Sequence, residues 1–344
     1  MSRELLSTVE AYLQTEVAPH AALIDRNKEE LQRVLLELGD RSWLGLKVPT
    51  LWGGLDLDEK SFYQWQMLLA RYSGALAFLQ TQHQSAALQI ATSQNSELQA
   101  EYLPLMVRGK KLIGVGFSQL RRPGKPVTSA NPVPGGYLLE GEVPWITGLG
   151  LFEEFIVGAT LPQGDALYGL LPLVSTEQPQ GGFLELSQPR ELIAMQSTNT
   201  VQGRLKQWFL PSDRVVMIKP KGAIHQSDRR RVLHHGFFAL GCAQAALDLF
   251  TNHPHWHYLS EKVNYCRENM FKLLDSADFE KKLELRASAI NLAHDCAQAA
   301  VVISGGGANF LSHPAGRVYR EALVFSVSGQ TPAVREATLG CSKD

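Results

Sequence analysis

The chain has 344 residues, of which 44% are hydrophobic and 19% charged, a balance that excludes a disordered polymer and allows two or three subdomains around a substantial core. With 33 Lys and Arg against 34 Asp and Glu, the formal net charge of −1 provides no global field for nucleic acid or an anionic membrane. No apolar run is long enough to span a bilayer, and the N-terminal MSRELLSTVE is not a signal peptide.

Residues 1–112 read as a helical region. Leu5, Leu6, Val9 and Leu13 recur at helical spacing, as do Leu31, Val34, Leu35 and Leu38, with Gly39 as a stop. Leu44–Pro49 is a connector and Trp52-Gly53-Gly54 a turn. Ser61–Ala70 and Ala75–Ala91 supply further helices, and Ser93–Ser96 starts another, Glu97–Val107, kinked at Pro104.

Residues 113–218 change character as Gly, Pro and β-branched residues rise. Strands are expected at Ile113–Phe117, Gly136–Leu139, Phe155–Ala159, Tyr168–Leu173 and Leu205–Leu210, with Arg121–Gly136 as a long loop. Tyr137–Thr160 stands out: two β-branched and aromatic runs, a bend at Glu140-Gly141-Glu142, then Trp145-Ile146-Thr147 and turn glycines at Gly148 and Gly150. It reads as a hairpin-like pair of strands, and the region as a small β-barrel or sandwich.

Helix resumes in residues 219–344. Arg231–Phe250 contains a small-residue tract, Ala239–Asp248, suited to close packing, and Cys242 within it reads as a packing residue. Lys262–Leu274 and Glu280–Ile303 follow, the second broken by Gly305-Gly306-Gly307, and Gly316–Val327 forms a last short helix. Cys242, Cys266, Cys296 and Cys341 make no CxxC pair, so free thiols in a reduced, cytoplasmic setting are expected. His253, His255 and His257 alternate around Pro254 in an extended or turn segment, but no cysteine completes a familiar zinc spacing and no metal site is assigned.

Helices, then strands, then helices is one signal, and local motifs sharpen it. Ala18-Pro19 to Asp25, Gly45–Pro49 with Trp52-Gly53-Gly54, Gly141 with Trp145-Ile146-Thr147, Ala239–Asp248, and Gly305-Gly306-Gly307 through Arg320-Glu321-Ala322 occur in that order. Together they resemble the acyl-CoA dehydrogenase family over most of the chain. The resemblance implies an α+β fold: an N-terminal helical domain, a middle β-barrel domain and a C-terminal helical bundle. It implies FAD, with Phe117, Ser118, Trp145, Ile146, Thr147 and Thr331 as cofactor-binding residues. A flavin needs an apolar shelf and fixed hydrogen-bond donors, which a Trp and a Thr hydroxyl supply. The family also implies an acyl thioester or other small organic substrate, and a homodimer or homotetramer built through the C-terminal helices.

The pattern departs from the family where its chemistry lies. Abstraction of a proton beside a thioester needs a positioned carboxylate, a contribution typically worth ~10²–10⁴-fold. One family position for that base falls on Gly329, in Ser326–Thr331, and the other on Arg231. Substitute bases are His234, His235 and Asp228. The family's pyrophosphate loop is replaced by Ser118–Gly124, where Arg121, Arg122 and, just beyond, Lys125 offer positive charge to a diphosphate, and the neighbouring-subunit Arg-x-x-Phe-Gly tract is absent. The expected function is an acyl-CoA dehydrogenase-like, FAD-dependent oxidoreductase acting on CH–CH groups with non-standard chemistry, or a flavin monooxygenase-like relative. Two alternatives stand beside it. One is a non-catalytic binding or scaffold descendant of the fold. The other is a true acyl-CoA dehydrogenase with an unrecognised base.

Overall fold

A computed structural model describes residues 3–340 of the protein, so Cys341 lies outside the described residues. Helices α1 (Arg3–Tyr12), α2 (Ala21–Ile24), α3 (Lys28–Asp40), α4 (Glu59–Tyr72), α5 (Gly74–Ala91) and α6 (Ser96–Val107) precede the first strand. Asn27, Asp58, Ser73 and Asn95 start α3 to α6 by accepting a backbone N–H of the first turn. Pro104 lies inside α6 as expected. Gly39 does not stop its helix. It sits within α3 because a Cβ there would come within 2.8 Å of the Gly109 Cα, so the glycine serves close packing.

Nine strands among the described residues form one sheet. They are β1 (Ile113–Gly116), β2 (Thr128–Val133), β3 (Gly136–Ile146), β4 (Glu154–Thr160), β5 (Ala166–Pro172), β6 (Thr176–Glu177), β7 (Phe183–Leu186), β8 (Val201–Pro211) and β9 (Val215–Lys219). The order is β6-β7-β8-β3-β2-β4-β5-β9, and β1 pairs in parallel with β4. Three expectations change. Part of the predicted loop Arg121–Gly136 is strand β2, whose Pro132 and turn-rich flanks masked it. The two runs of Tyr137–Thr160 are not hairpin partners, because β2 lies between β3 and β4. The bend at Gly141 is a bulge within one continuous strand: Gly141 takes φ +117, and the register with β8 shifts there.

The sheet is also open rather than closed into a barrel. Its β9 end is covered by helix instead of by β6. The Ser93 hydroxyl donates to the Val216 carbonyl, Asn95 Nδ2 donates to the Asp213 carbonyl at 3.0 Å, and Val216 is buried with Ile90, Leu98 and Tyr102. Two carbonyls at this edge, of Val216 and of Asp213 just before the strand, are thus taken up by the start of α6 rather than offered to another strand.

The C-terminal helices are α7 (Ala223–Arg230), α8 (His234–Leu247), α9 (His255–Lys272), α10 (Phe279–Ser304), α11 (Pro314–Val327) and α12 (Pro332–Thr338). The single helix expected over Arg231–Phe250 is thus preceded by a separate α7 and starts at His234. His255 opens α9, so the His253–His257 stretch is a turn running into a helix rather than extended chain. Gly305, at φ +63, ends α10 as the triple glycine predicts. Helix α8 runs through the bundle core, with Gly236–Ala243 buried. A Cβ on Gly241 would lie 2.2 Å from the Met67 carbonyl oxygen and 2.8 Å from Ala70 Cβ, so the small-residue tract lets α8 approach α4 closely. Cys242, Cys266 and Cys296 are buried free thiols, which fits the packing role read for Cys242.

Candidate active site

Strand β3 delivers Trp145, Ile146 and Thr147 to one end of the sheet. Alternation along the strand turns Trp145 outward, 48% exposed, and buries Ile146 completely. The Arg190 guanidinium lies 5.7 Å from the indole centroid. Ile146 pairs with Val201 of β8. Beyond it the Thr147 hydroxyl meets Thr200 Oγ1 at 3.0 Å, Thr200 meets Thr198 Oγ1 at 3.3 Å, and Thr198 donates to the Met195 carbonyl at 2.7 Å. The result is an exposed aromatic shelf beside a line of buried hydroxyls. Gly148, at φ +107, makes the turn that follows; a Cβ there would be 2.3 Å from the Phe152 ring.

Phe117 and Ser118 follow β1. The Phe117 ring meets Tyr168 edge-on at 5.6 Å, and Ser118 is exposed at the start of a short 3₁₀ turn, Ser118–Arg121. Arg121 is held by Asp228 of α7 through both carboxylate oxygens, Nε at 2.7 Å and Nη2 at 2.8 Å. This pair bears on two expectations at once. Arg121 already has its counter-ion, and Asp228 is not a free carboxylate. Arg122 and Lys125 remain exposed, and Arg231 is exposed after α7. The Thr331 hydroxyl caps α12 by accepting from the Val334 N–H at 3.3 Å.

The base position at Gly329 has the more informative surroundings. Gly329 follows α11 at φ +61, and a Cβ built on it would fall 2.2 Å from Cδ2 and 2.4 Å from Nε2 of His235. The imidazole occupies the volume through which a side chain at 329 would leave the backbone. Ser328 holds the ring in place, its hydroxyl 3.0 Å from His235 Nδ1. The His234 ring stacks on His235, centroids 4.9 Å apart, and is enclosed by Phe62, Tyr63 and Phe238. On the other side Arg286 of α10, with no exposed surface, donates from Nη2 to the Ser328 carbonyl at 2.8 Å. Burial, then the charges of Arg231 and Arg286, lower His234 to about 3. Burial, then His234, Arg286 and Arg121, hold His235 well below the usual imidazole range. Both rings are neutral at pH 7.

Comparison with known proteins adds a family to this geometry. Residues 2–110 match the family model described as "Acyl-CoA dehydrogenase, N-terminal domain". Isovaleryl-CoA dehydrogenase of Oryza sativa subsp. japonica is 24% identical over 97% of this chain and 88% of its own length. A 3-(aryl)acrylate reductase of Clostridium sporogenes is 20% identical over 95% of this chain and 94% of its own. Butyryl-CoA dehydrogenase from Megasphaera elsdenii superposes with a TM-score of 0.78 at 18% identity, covering 98% of this chain and 97% of that one. Glutaryl-CoA dehydrogenase from Mycobacterium smegmatis gives 0.80 at 17% identity, covering 98% and 94%. The chain shares the fold of these acyl-CoA dehydrogenases and matches the family's model over its N-terminal part.

Within that acyl-CoA dehydrogenase fold, the sequence-predicted residues fall into separate groups: Trp145, Ile146 and Thr147 at the end of β3, Phe117 and Ser118 after β1, and His234 and His235 against Gly329. Sequence reasoning missed Thr198, Thr200, Arg286 and Ser328. The threonines come from a loop with Met195 and Asn199 at positive φ, which has no motif to mark it. Arg286 lies on a helix whose apolar periodicity gives a charged residue no reason to point inward. Among the described residues no group of His, Cys, Asp and Glu is arranged to hold a metal ion, and no helix is long and apolar enough to cross a membrane.

Proposed function

We propose that the protein is an FAD-dependent oxidoreductase of the acyl-CoA dehydrogenase type in which no carboxylate serves as the base. The observation that carries this reading is the exposed Trp145 shelf beside the buried Thr147 hydroxyl, in a chain whose relatives match it from end to end. For the ring of the cofactor the residues fit. Trp145 would support its flat face, with the buried Ile146 fixing the strand behind it, and the hydroxyl of Thr147, with Phe117, Ser118 and Thr331 as further expected contacts, would border it. The diphosphate half fits less well, since Arg121 is tied to Asp228 and Arg122 and Lys125 project into solvent. When bound, FAD supplies the two-electron acceptor. The chain's own contribution is to orient the ring, exclude water with the β3 turn, and move a proton at His235. With Nδ1–H donated to Ser328 Oγ, Nε2 carries the lone pair, in the volume that a side chain at 329 would take. Asp228, bound on both oxygens by Arg121, is a poorer candidate.

The substrate we assign is a small acyl thioester or a related unsaturated acid derivative, matching the range of the relatives' names. Units at 1–112, 113–218 and 219–344, a homodimer or homotetramer, and a cytoplasmic location complete the reading. Purified protein that is yellow and releases FAD on denaturation supports it. Anaerobic mixing with a panel of acyl-CoAs then tests the chemistry, with flavin bleaching lost in His235→Ala as the expected result. The occupied Arg121 also favours a second reading, a non-catalytic descendant. A colourless protein that refuses added FAD would establish that one and overturn ours.

A further inference from the structure

Arg286 is fully buried, and its one hydrogen bond among the described residues runs from Nη2 to the Ser328 carbonyl. That bond caps the C-terminal end of α11, where backbone carbonyls carry partial negative charge. Its Nε and Nη1 have no protein partner, and neither has the buried Nε2 of His234. The two residues are neighbours. Arg286 bonds the Ser328 carbonyl, the Ser328 hydroxyl lies 3.0 Å from His235 Nδ1, and the His234 ring stacks on His235 with centroids 4.9 Å apart. No carboxylate among the described residues offsets the guanidinium: burial alone pulls it down, to about 9. A charge removed from water without a counter-charge is expensive to bury, so unspent donors here point to an absent anion.

We infer that Arg286 and His234 form a binding site for the carboxylate group of a small organic monoanion, entered past Gly329. Gly329 and Gln330 are exposed, and the His235 ring lies directly against the Gly329 backbone, so entry goes with a rotation of that ring. The charge count favours a monoanion. With both imidazoles neutral, one negative charge cancels the guanidinium, whereas a dianionic phosphate would leave one charge buried and unanswered. The planar guanidinium matches a planar carboxylate, and a His234 tautomer with Nε2–H adds a donor. The site adjoins Ser328–Thr331, so under the function proposed above the carboxylate belongs to the substrate or product. Its binding requires no flavin, so it can fail or succeed independently of that function.

The test uses the full chain as purified, with acetate and benzoate as probes and sodium chloride and benzamide as controls at matched ionic strength. Imidazole C2–H resonances are followed by NMR, and thermal midpoints are measured in parallel. A carboxylate should shift the His234 and His235 resonances saturably and raise the midpoint, while chloride and benzamide do neither. Arg286→Met should weaken carboxylate binding at least about tenfold, the loss of one charge-assisted contact, with a ligand-free midpoint equal to or above that of the wild type. Resonances that do not move, that move equally with the controls, or that titrate unchanged in Arg286→Met overturn the site. Should Arg286→Met not fold, His234→Phe keeps the guanidinium and decides. Benzoate binding weakened several-fold, read on His235, supports the site, and unchanged binding overturns it.

Discussion

Two buried charges sit near opposite ends of α11, and they are answered differently. Toward the N-terminal side, Arg317 donates to Glu321 at 2.6 Å, one turn along the same helix, with Glu321 fully buried. The Gly74 N–H adds a bond to the same carboxylate oxygen at 3.2 Å, and Arg320 reaches the buried Asp25, which accepts from the Met195 N–H at 2.6 Å. That end stitches α11 to α5 and to the N-terminal segment with charges in opposite pairs. At the C-terminal end Arg286, His234 and His235 gather with a serine and no acid. Only the first arrangement sets opposite charges against each other, although Glu321 Oε2, like Arg286 Nε and Nη1, has no hydrogen-bond partner among the described residues. Structural charge in a folded interior is matched within the chain, and charge left unmatched there is where a ligand is to be sought.

The largest expected effect breaks the matched side. Arg317→Met strands the Glu321 carboxylate in the core and should cost about 3–5 kcal/mol in urea denaturation, while Arg286→Met costs nothing. Equal losses would abolish the distinction. The next effect is pH dependence. Folded His234 titrates near 3, below the roughly 6.5 of an unfolded histidine, so the unfolded chain binds more protons between those values. Stability should therefore hold above pH 6.5 and fall as the pH drops, by at most about 1.4 kcal/mol per pH unit for each such histidine. His234→Phe should flatten that slope in denaturation series from pH 7.5 to 5. A third substitution, Gly329→Glu, restores the family carboxylate in sequence but drives its Cβ into His235 at a positive φ, and should cost about 1–3 kcal/mol. Adding His235→Ala should recover part of that loss; a neutral single variant would show that His235 does not hold the space. Smallest is Thr147→Val, which interrupts the Thr147–Thr200–Thr198 hydroxyls for about 1 kcal/mol by thermal melting.

The helices of both ends and most of the longer strands could be read in the sequence, because periodicity and capping residues are local. Trp145-Ile146-Thr147 was readable too, since alternation along a strand sets which side chain faces out. The place of β2 between β3 and β4 and the open sheet were not, because adjacency in a sheet depends on which distant strand takes an edge. Gly329 and Arg231 are legible as the positions where the resemblance directs the search for a base. That His235 fills the first of them is not, because residues 235 and 329 meet only through the packing of α8 against α11.

By itself the sequence determined the order of helix, sheet and helix, the resemblance to acyl-CoA dehydrogenases, and a glycine at 329 and an arginine at 231. Each of these is written in residue type and spacing along the chain. Only the tertiary structure decided that Arg121 neutralises Asp228, that an imidazole occupies the space at Gly329, and that Arg286 is buried without a counter-ion. Those are relations between residues 42 to 107 positions apart, set by how helices pack, and no local pattern encodes them.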